Sequence, residues 1–282
     1  MKFLKKAEEL FFRGLMIIAS LAVVGTLASL LYTIVSKGIP FLNWDMVSKI
    51  PEGGYYIGKE GGILNAMAGS LYIAGGATLL GLITSIPVVL FMNVYLKKNS
   101  WTGNTIRFFA DILFGIPSIV YGAFGFTLMI FFGLKTSLLA GMITVALLII
   151  PILIRAMDEV VKLTSHELPE AVMSLGATPW ETSRIILRQA APGLFIALLI
   201  SFGRAVGDAA SVLFTAGYTD AMPGSLSEPA ATLPLAIFFQ LSSPVAEVQG
   251  RAYASALILT ILILVISIAA RIIRKKFLKN RI

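Results

Sequence analysis

The 282-residue sequence has no cysteine, one histidine and only 13% charged residues. Without Cys the chain forms no disulfide, iron–sulfur site or thiolate nucleophile, and its redox compartment is left undetermined. The single His166 excludes a metal site built from several histidines. A solitary His in a polar stretch is most often solvated or hydrogen-bonded to its neighbours, and we assign it no role.

The sequence also lacks the motifs of nucleotide-hydrolysing and proteolytic enzymes. The nearest approach to a phosphate loop, GGATLLGL from Gly75, has no Lys and lies in an apolar run. There is no H-E-x-x-H motif and no evident Ser/His/Asp set, which argues against an intramembrane hydrolase. We therefore expect a chain that is not an enzyme and binds no cofactor or metal of its own. Any ATP and Mg chemistry would come from a partner.

What the sequence has in abundance is apolar residues, at 57% of the chain with a mean hydropathy of +0.87. This composition predicts a multi-pass membrane protein. The net charge of +8 would also fit a nucleic-acid-binding protein. However, the basic residues flank apolar runs and form no stripe with interleaved aromatics, so membrane orientation explains them better. We predict contact with membrane lipid and none with nucleic acid.

Hydropathy predicts an all-α fold with six transmembrane helices. The expected spans are 14–35, 66–96, 112–132, 137–154, 192–216 and 252–273. The third is expected to be one bent, closely packed helix, because Gly115 and Pro117 lie near its start. A short interfacial or re-entrant helix is expected at 233–241.

The chain is predicted to have four parts. These are an amphipathic lead at 1–13, a first span with an external loop at 14–65, a core of five spans at 66–273, and a basic tail at 274–282. The core includes a polar loop at 155–191. The run 14–35 is longer than the apolar part of a typical signal peptide and is expected to stay uncleaved. Most Lys and Arg residues lie in the lead, the polar loop and the tail, so both termini are predicted to be cytoplasmic.

The fifth predicted span contains two charged residues, Arg204 and Asp208, in the stretch SFGRAVGDAA. A charge at mid-bilayer costs roughly 3 kcal/mol or more, and normally faces a partner, a cavity or a permeating solute. In one helix the two residues would share a face and could pair. Gly203 and Gly207 would lie on the adjacent stripe, where another helix could approach closely. The stretch is therefore predicted to border a path through the membrane.

The polar loop 155–191 contains a second pattern of interest. Glu170 suits the first turn of a helix that begins near Pro169, and Gly176 suits a left-handed cap at its end. Such a short helix could insert into a partner's groove. From local physics alone, an amphipathic connector is about as good an explanation.

The loop resembles the EAA coupling loop of bacterial ABC importer permeases, in which E-A-A is followed by three residues and then Gly. Glu170, Ala171 and Gly176 match, while Val172 replaces the second Ala and Arg188 stands where many members have Pro. GGILNAMAGSLYIAGGATLL, FGIPSIVYGAFG and GRAVGDAA are similar to stretches of phosphate importer permeases. The form GGIxNAxxGS together with LPLAIFFQLSSP resembles their A-type subunits.

The resemblance implies an inner-membrane permease subunit with the type I ABC importer, or MetI-like, fold. Its implied partners are a homologous C-type permease, two cytoplasmic ATPase subunits that use ATP and Mg, and an external phosphate-binding protein. It further implies that Glu170, Ala171 and Gly176 couple to the ATPase, and that Arg204 and Asp208 belong to the phosphate path. The family usually has Glu and Thr where this chain has Asp208 and Ala209.

Four other interpretations remain. The transported anion could be molybdate, tungstate or sulfate. An ion-coupled secondary transporter would often show inverted repeats, and none is evident, whereas a membrane scaffold would need no buried Arg. Finally, Arg204 and Asp208 could form a permanent ion pair that locks helices together rather than a gate.

Overall fold

A computed structural model of the chain describes residues 2–52, 60–97, 99–163 and 167–279, so His166 lies outside the described residues. The described residues form helices joined by turns and irregular segments, and they include no strand beyond one isolated bridge between Pro51 and Gly61. Its α-helices are α1 Lys2–Gly38, α2 Trp44–Ser48, α3 Leu64–Leu90, α4 Trp101–Gly115, α5 Ser118–Phe131, α6 Leu138–Lys162, α7 Glu167–Ser174, α8 Pro179–Val206, α9 Leu233–Leu241 and α10 Ala246–Lys279. A π-helical turn, Phe91–Tyr95, extends α3.

Five of these helices, α1, α3, α6, α8 and α10, are long and apolar enough to cross a membrane. The pair α4 and α5 makes a sixth crossing if it is counted as one broken span. The all-α, multi-pass fold class is thereby confirmed. The short helix expected at 233–241 is α9, and the predicted lead and first span form one continuous helix, α1.

The prediction of one bent helix at 112–132 is wrong. α4 begins much earlier, at Trp101, where the Ser100 side chain accepts a hydrogen bond from the Gly103 N–H. It ends at Gly115, and α5 starts at Ser118 after a bend of 98°. Pro117 causes the break, because a residue before proline avoids the helical region. Ile116 is accordingly extended, with φ −72° and ψ 130°.

The spans on either side of the polar loop also differ from their predicted limits. α6 continues past 154 to Lys162, since Met157, Asp158 and Val161 extend its buried face without a break. α8 begins at Pro179 rather than at 192, and ends at Val206 rather than at 216. The segment 155–191 therefore consists largely of two helix ends, with α7 between them.

The core lies where α3, α6 and α8 pack together, with α10 against α8 and α9 and with α1 against α10. Small residues allow the closest approach. A Cβ built on Gly81 of α3 would lie 2.7 Å from Cδ1 of Leu153 on α6. Near the start of α3, the Ser70 hydroxyl accepts a hydrogen bond from the Leu233 N–H at 2.8 Å, which holds α9 against the bundle.

Candidate functional site

The short helix α7, Glu167–Ser174, carries the residues of the EAA-like pattern. Gly176 follows it in the left-handed conformation, with φ +88°. Its N–H donates to the Met173 carbonyl at 3.0 Å, and the Ala177 N–H donates to the Val172 carbonyl at 3.4 Å. These are the two hydrogen bonds of a Schellman motif. The predicted left-handed cap at Gly176 is therefore confirmed.

Exposed polar and apolar side chains lie next to each other on the surface around α7. Glu170 and Ala171 are both exposed. Next to them, Leu175 is 90% and Trp180 61% exposed. Exposed apolar side chains beside a capped, solvent-facing helix are typical of a protein-binding surface.

α8 starts directly after this surface and is capped at its first turn. The Thr178 hydroxyl accepts a hydrogen bond from the Glu181 N–H at 3.4 Å, and the Glu181 carboxylate accepts one from the Thr178 N–H at 2.8 Å. This reciprocal pair is a capping box. Arg204 lies in the last turn of the same helix, so the two candidate sites lie at opposite ends of one element.

The predicted helical pairing of Arg204 with Asp208 is wrong. α8 ends at Val206, Gly207 is its C-cap, and Asp208 follows outside the helix. The Asp208 carboxylate accepts hydrogen bonds from the N–H and the hydroxyl of Ser211. An Asp that bonds to nearby backbone competes with helix continuation, which explains the early end of the span. Within the described part of the chain, Arg204 makes no ion pair.

Arg204 and Asp208 also differ in burial. Arg204 is exposed, whereas Asp208 is only 9% exposed. In the last turn of α8 the guanidinium is favourably placed against the negative end of the helix dipole. Its donors are open to an anion from outside this chain's own bundle.

Gly203 and Gly207 face α10. A Cβ built on Gly203 would lie 3.8 Å from Cγ2 of Ile266, and one built on Gly207 would lie 3.4 Å from Cδ1 of Ile263. Both distances are ordinary van der Waals contacts. This geometry fits the predicted role of the two glycines in helix packing, although the approach is not close enough to require glycine.

A buried ionic cluster around Asp158 was missed by the sequence reasoning. Asp158 on α6 is fully buried, and Arg107 of α4 donates to both of its carboxylate oxygens, at 2.9 and 3.1 Å. The Asn93 side chain donates to the same carboxylate at 2.9 Å. No role was predicted for Arg107 from the sequence. The available signal was an acidic residue with basic residues three before it and four after it on one helix.

The described residues include no group of three His, Cys, Asp or Glu side chains placed to hold a metal ion. What they provide is a helical membrane bundle, an exposed loop helix at one end of α8 and an accessible guanidinium at the other. These features define a multi-pass helical membrane protein with two accessible candidate sites.

The chain belongs to the family of binding-protein-dependent transport system inner membrane components, whose model matches residues 77–279. It is 31% identical over 272 residues to the phosphate transport system permease protein PstA of Haemophilus influenzae, covering 95% of this chain and 94% of that protein. It is 34% identical to the PstA of Yersinia pestis, covering 88% and 83%. Identity to PstA 1 of Mycobacterium tuberculosis strain H37Rv is 36%, over 76% of this chain and 70% of that protein.

Solved structures of inward-facing conformations of the MetNI methionine ABC transporter share the fold. One matches with a TM-score of 0.59 and 22% identity, covering 76% of this chain and 95% of that chain. A second crystal form gives a TM-score of 0.60. The MetI-like permease fold expected from the sequence is thereby confirmed.

Proposed function

We propose that the chain is the membrane-spanning permease subunit of an ATP-driven phosphate importer and forms half of the translocation path. The assignment of phosphate as the substrate rests on the similarity, over most of both chains, to proteins named as phosphate transport permeases. The accessible Arg204 supports an oxyanion cargo, since a guanidinium binds phosphate through a fork of donors.

In this proposal Arg204 forms part of the substrate path. The residue is exposed at the end of α8, so another subunit must close the path around it. A homologous C-type permease is the partner that fits. Asp208 contributes by ordering the turn after α8 through its bonds to Ser211, rather than by a permanent pair with Arg204.

The surface that contains Glu170, Ala171 and Gly176 is the proposed contact for a cytoplasmic ATPase subunit. Its exposure, with Leu175 and Trp180 beside it, leaves an apolar patch that needs a protein partner. A connector helix would need no such patch, so we favour the coupling role. ATP and Mg would be bound by the ATPase and not by this chain.

The remaining parts of the proposal concern orientation and assembly. Both termini and α7 lie on the cytoplasmic side, and an external phosphate-binding protein delivers the anion to the opposite side. The lead 1–13, the segment 14–65, the core 66–273 and the tail 274–282 are retained as functional divisions, with α1 bridging the first two.

Reconstitution tests the function. The chain, the partner permease, the ATPase and the binding protein are placed in liposomes, and uptake of phosphate, sulfate and molybdate is measured with and without ATP. We expect ATP-dependent uptake that prefers phosphate. A preference for sulfate or molybdate would reassign the anion, and uptake without the ATPase would contradict the importer class.

The coupling contact is tested by Glu170→Lys and Gly176→Asp, with Glu9→Lys as the control. Glu9 is exposed on α1 and undergoes the same charge change. At Gly176 a side chain must adopt φ +88°, which costs about 1–2 kcal/mol. We expect both loop variants to bind the ATPase more weakly and to lose uptake, while the control behaves as wild type. Unchanged ATPase binding by both loop variants would refute the contact.

A further inference from the structure

The cluster around Asp158 contains more positive charge than one carboxylate needs. Lys162 Nζ lies 2.7 Å and Arg155 NH1 3.9 Å from the Asp158 Oδ2 atom that Arg107 also contacts. Arg155 and Lys162 belong to α6 itself, at positions three before and four after Asp158. Among the described residues, Arg107 and Asn93 are the ones that reach it from other segments.

The two α6 cations have alternative partners close by. Arg155 Nε lies 2.6 Å from the Asp111 carboxylate, and Lys162 Nζ lies 3.4 Å from that of Glu159. Both of these second partners are more than half exposed, so they lie at the rim and outside the buried contact with Asp158. Separating two members of an isolated buried pair would leave a bare charge, at a large cost. Here Asp158 would keep Lys162 and Arg155, so Arg107 can leave and return at a lower cost.

The Arg107–Asp158 pair lies between the end of α6 that leads to α7 and the helix α4. Asp158 lies one turn before the end of α6, and α7 begins five residues after that end. Arg107 lies on α4, which packs mainly against α6 and leads into the 98° break before α5. Apart from Arg107 and Asp111, which pair with α6, α4 presents large apolar side chains outward, such as Phe108 and Phe114.

We propose that the Arg107–Asp158 pair is the joint through which movement of α7 and the end of α6 reaches α4, and that Asp158 is a positioning residue for transport. Arg107 is the positioning residue on the α4 side of the pair. This proposal rests on the proposed function, because it names the route by which ATPase movement enters the bundle. It also gives Arg107 a role in transport.

The first test measures uptake per ATP hydrolysed in reconstituted complexes. Arg107→Gln removes the fork but leaves Asp158 with two α6 cations, so the chain should fold and still bind the ATPase. We expect ATP hydrolysis to continue while uptake per ATP falls by about tenfold, a typical coupling effect. Arg107→Lys keeps one charged contact and should recover part of the loss, which a purely steric defect would not.

Asp111→Asn is the matched control. It also neutralises a charged side chain of α4 that pairs with α6, but Asp111 is 54% exposed. Exposed pairs contribute little, so this variant should keep the wild-type ratio of uptake to ATP hydrolysis. The proposed joint would be contradicted if Arg107→Gln kept the wild-type uptake per ATP hydrolysed. It would also be contradicted if Asp111→Asn lost as much uptake per ATP as Arg107→Gln.

A second measurement separates this proposal from the proposed function. Because the chain has no Cys, Asn104→Cys on α4 and Ser174→Cys on α7 provide two exposed sites for spin labels. The label distance in the complex with the ATPase should shift as one population when ATP binds. In Arg107→Gln the distribution should broaden and lose that shift. If Arg107→Gln gave the same label-distance distributions as the wild-type sequence, the proposed joint would be refuted, even with normal uptake. If the wild-type complex showed the ATP-dependent shift but no uptake, only the importer function would be contradicted.

Discussion

Arg107 and Arg204 are both arginines on helices of the membrane bundle, yet their surroundings are opposite. The Arg107 side chain is 20% exposed and donates two hydrogen bonds to a fully buried carboxylate. Arg204 is exposed and makes no ion pair with any described residue. A guanidinium whose donors are used by the protein holds helices together, whereas one whose donors are free can bind a passing anion. Residue type and hydropathy do not distinguish the two.

The largest effect is expected at the partner of the paired arginine. Asp158→Asn would leave Arg107, Lys162 and Arg155 without their shared carboxylate, and breaking a buried pair from one side costs about 3 kcal/mol or more. We expect a clearly lower unfolding temperature of the purified chain in detergent, measured by tryptophan fluorescence. If the variant were as stable as Asp111→Asn, the cluster would have no structural importance and the contrast with Arg204 would fail.

A smaller loss, confined to transport, is expected for the free arginine. Arg204→Ala should keep the wild-type unfolding temperature and assembly. Uptake should fall by about tenfold to 100-fold, because hydrogen bonds to charged groups contribute about 1.5–3 kcal/mol each. Arg271→Ala, which removes an exposed arginine of α10, is the control and should transport normally. Retained uptake with lowered stability in Arg204→Ala would move Arg204 to the structural class.

The smallest effect is expected at Asp208. Asn can still accept the hydrogen bond from the Ser211 N–H, so Asp208→Asn should keep uptake within about twofold, as at other capping positions where Asn and Asp are equivalent. Asp208→Ala, which removes the acceptor, should be the weaker transporter. An ATP-independent phosphate leak in Asp208→Asn would instead show that its charge acts as a barrier.

The sequence predicts those parts of the fold that depend on local composition. Long apolar runs locate α1, α3 and α10, and the Gly176 cap and α9 follow from turn chemistry and a short apolar run. α4 escaped prediction because Arg107 and Asp111 lie within its 15 residues, which lowers its mean hydropathy below that of a span. The end of α8 was missed because the Asp208 carboxylate accepts a hydrogen bond from the Ser211 N–H, which competes with the helix that the following apolar residues would favour.

The candidate site divides in the same way. Glu170, Gly176 and Arg204 could be singled out because each is unusual for its local sequence. The role of Arg107 could not, since it depends on a contact with Asp158, 51 residues away in the chain. Such pairing requires the three-dimensional arrangement of α4 against α6.

The unbroken course of α8 has a mechanical consequence. Its 28 residues make a rod of about 42 Å, which joins the capping box at Thr178 to Arg204. If the rod pivots at Thr178, a tilt of about 5° moves its far end by about 4 Å over this length. That displacement exceeds the reach of a hydrogen bond. Under the proposed function, a slight rotation at the Thr178 end would therefore be enough to separate Arg204 from a bound anion. Pro192 lies inside the helix, and a kink there would reduce the displacement that reaches Arg204.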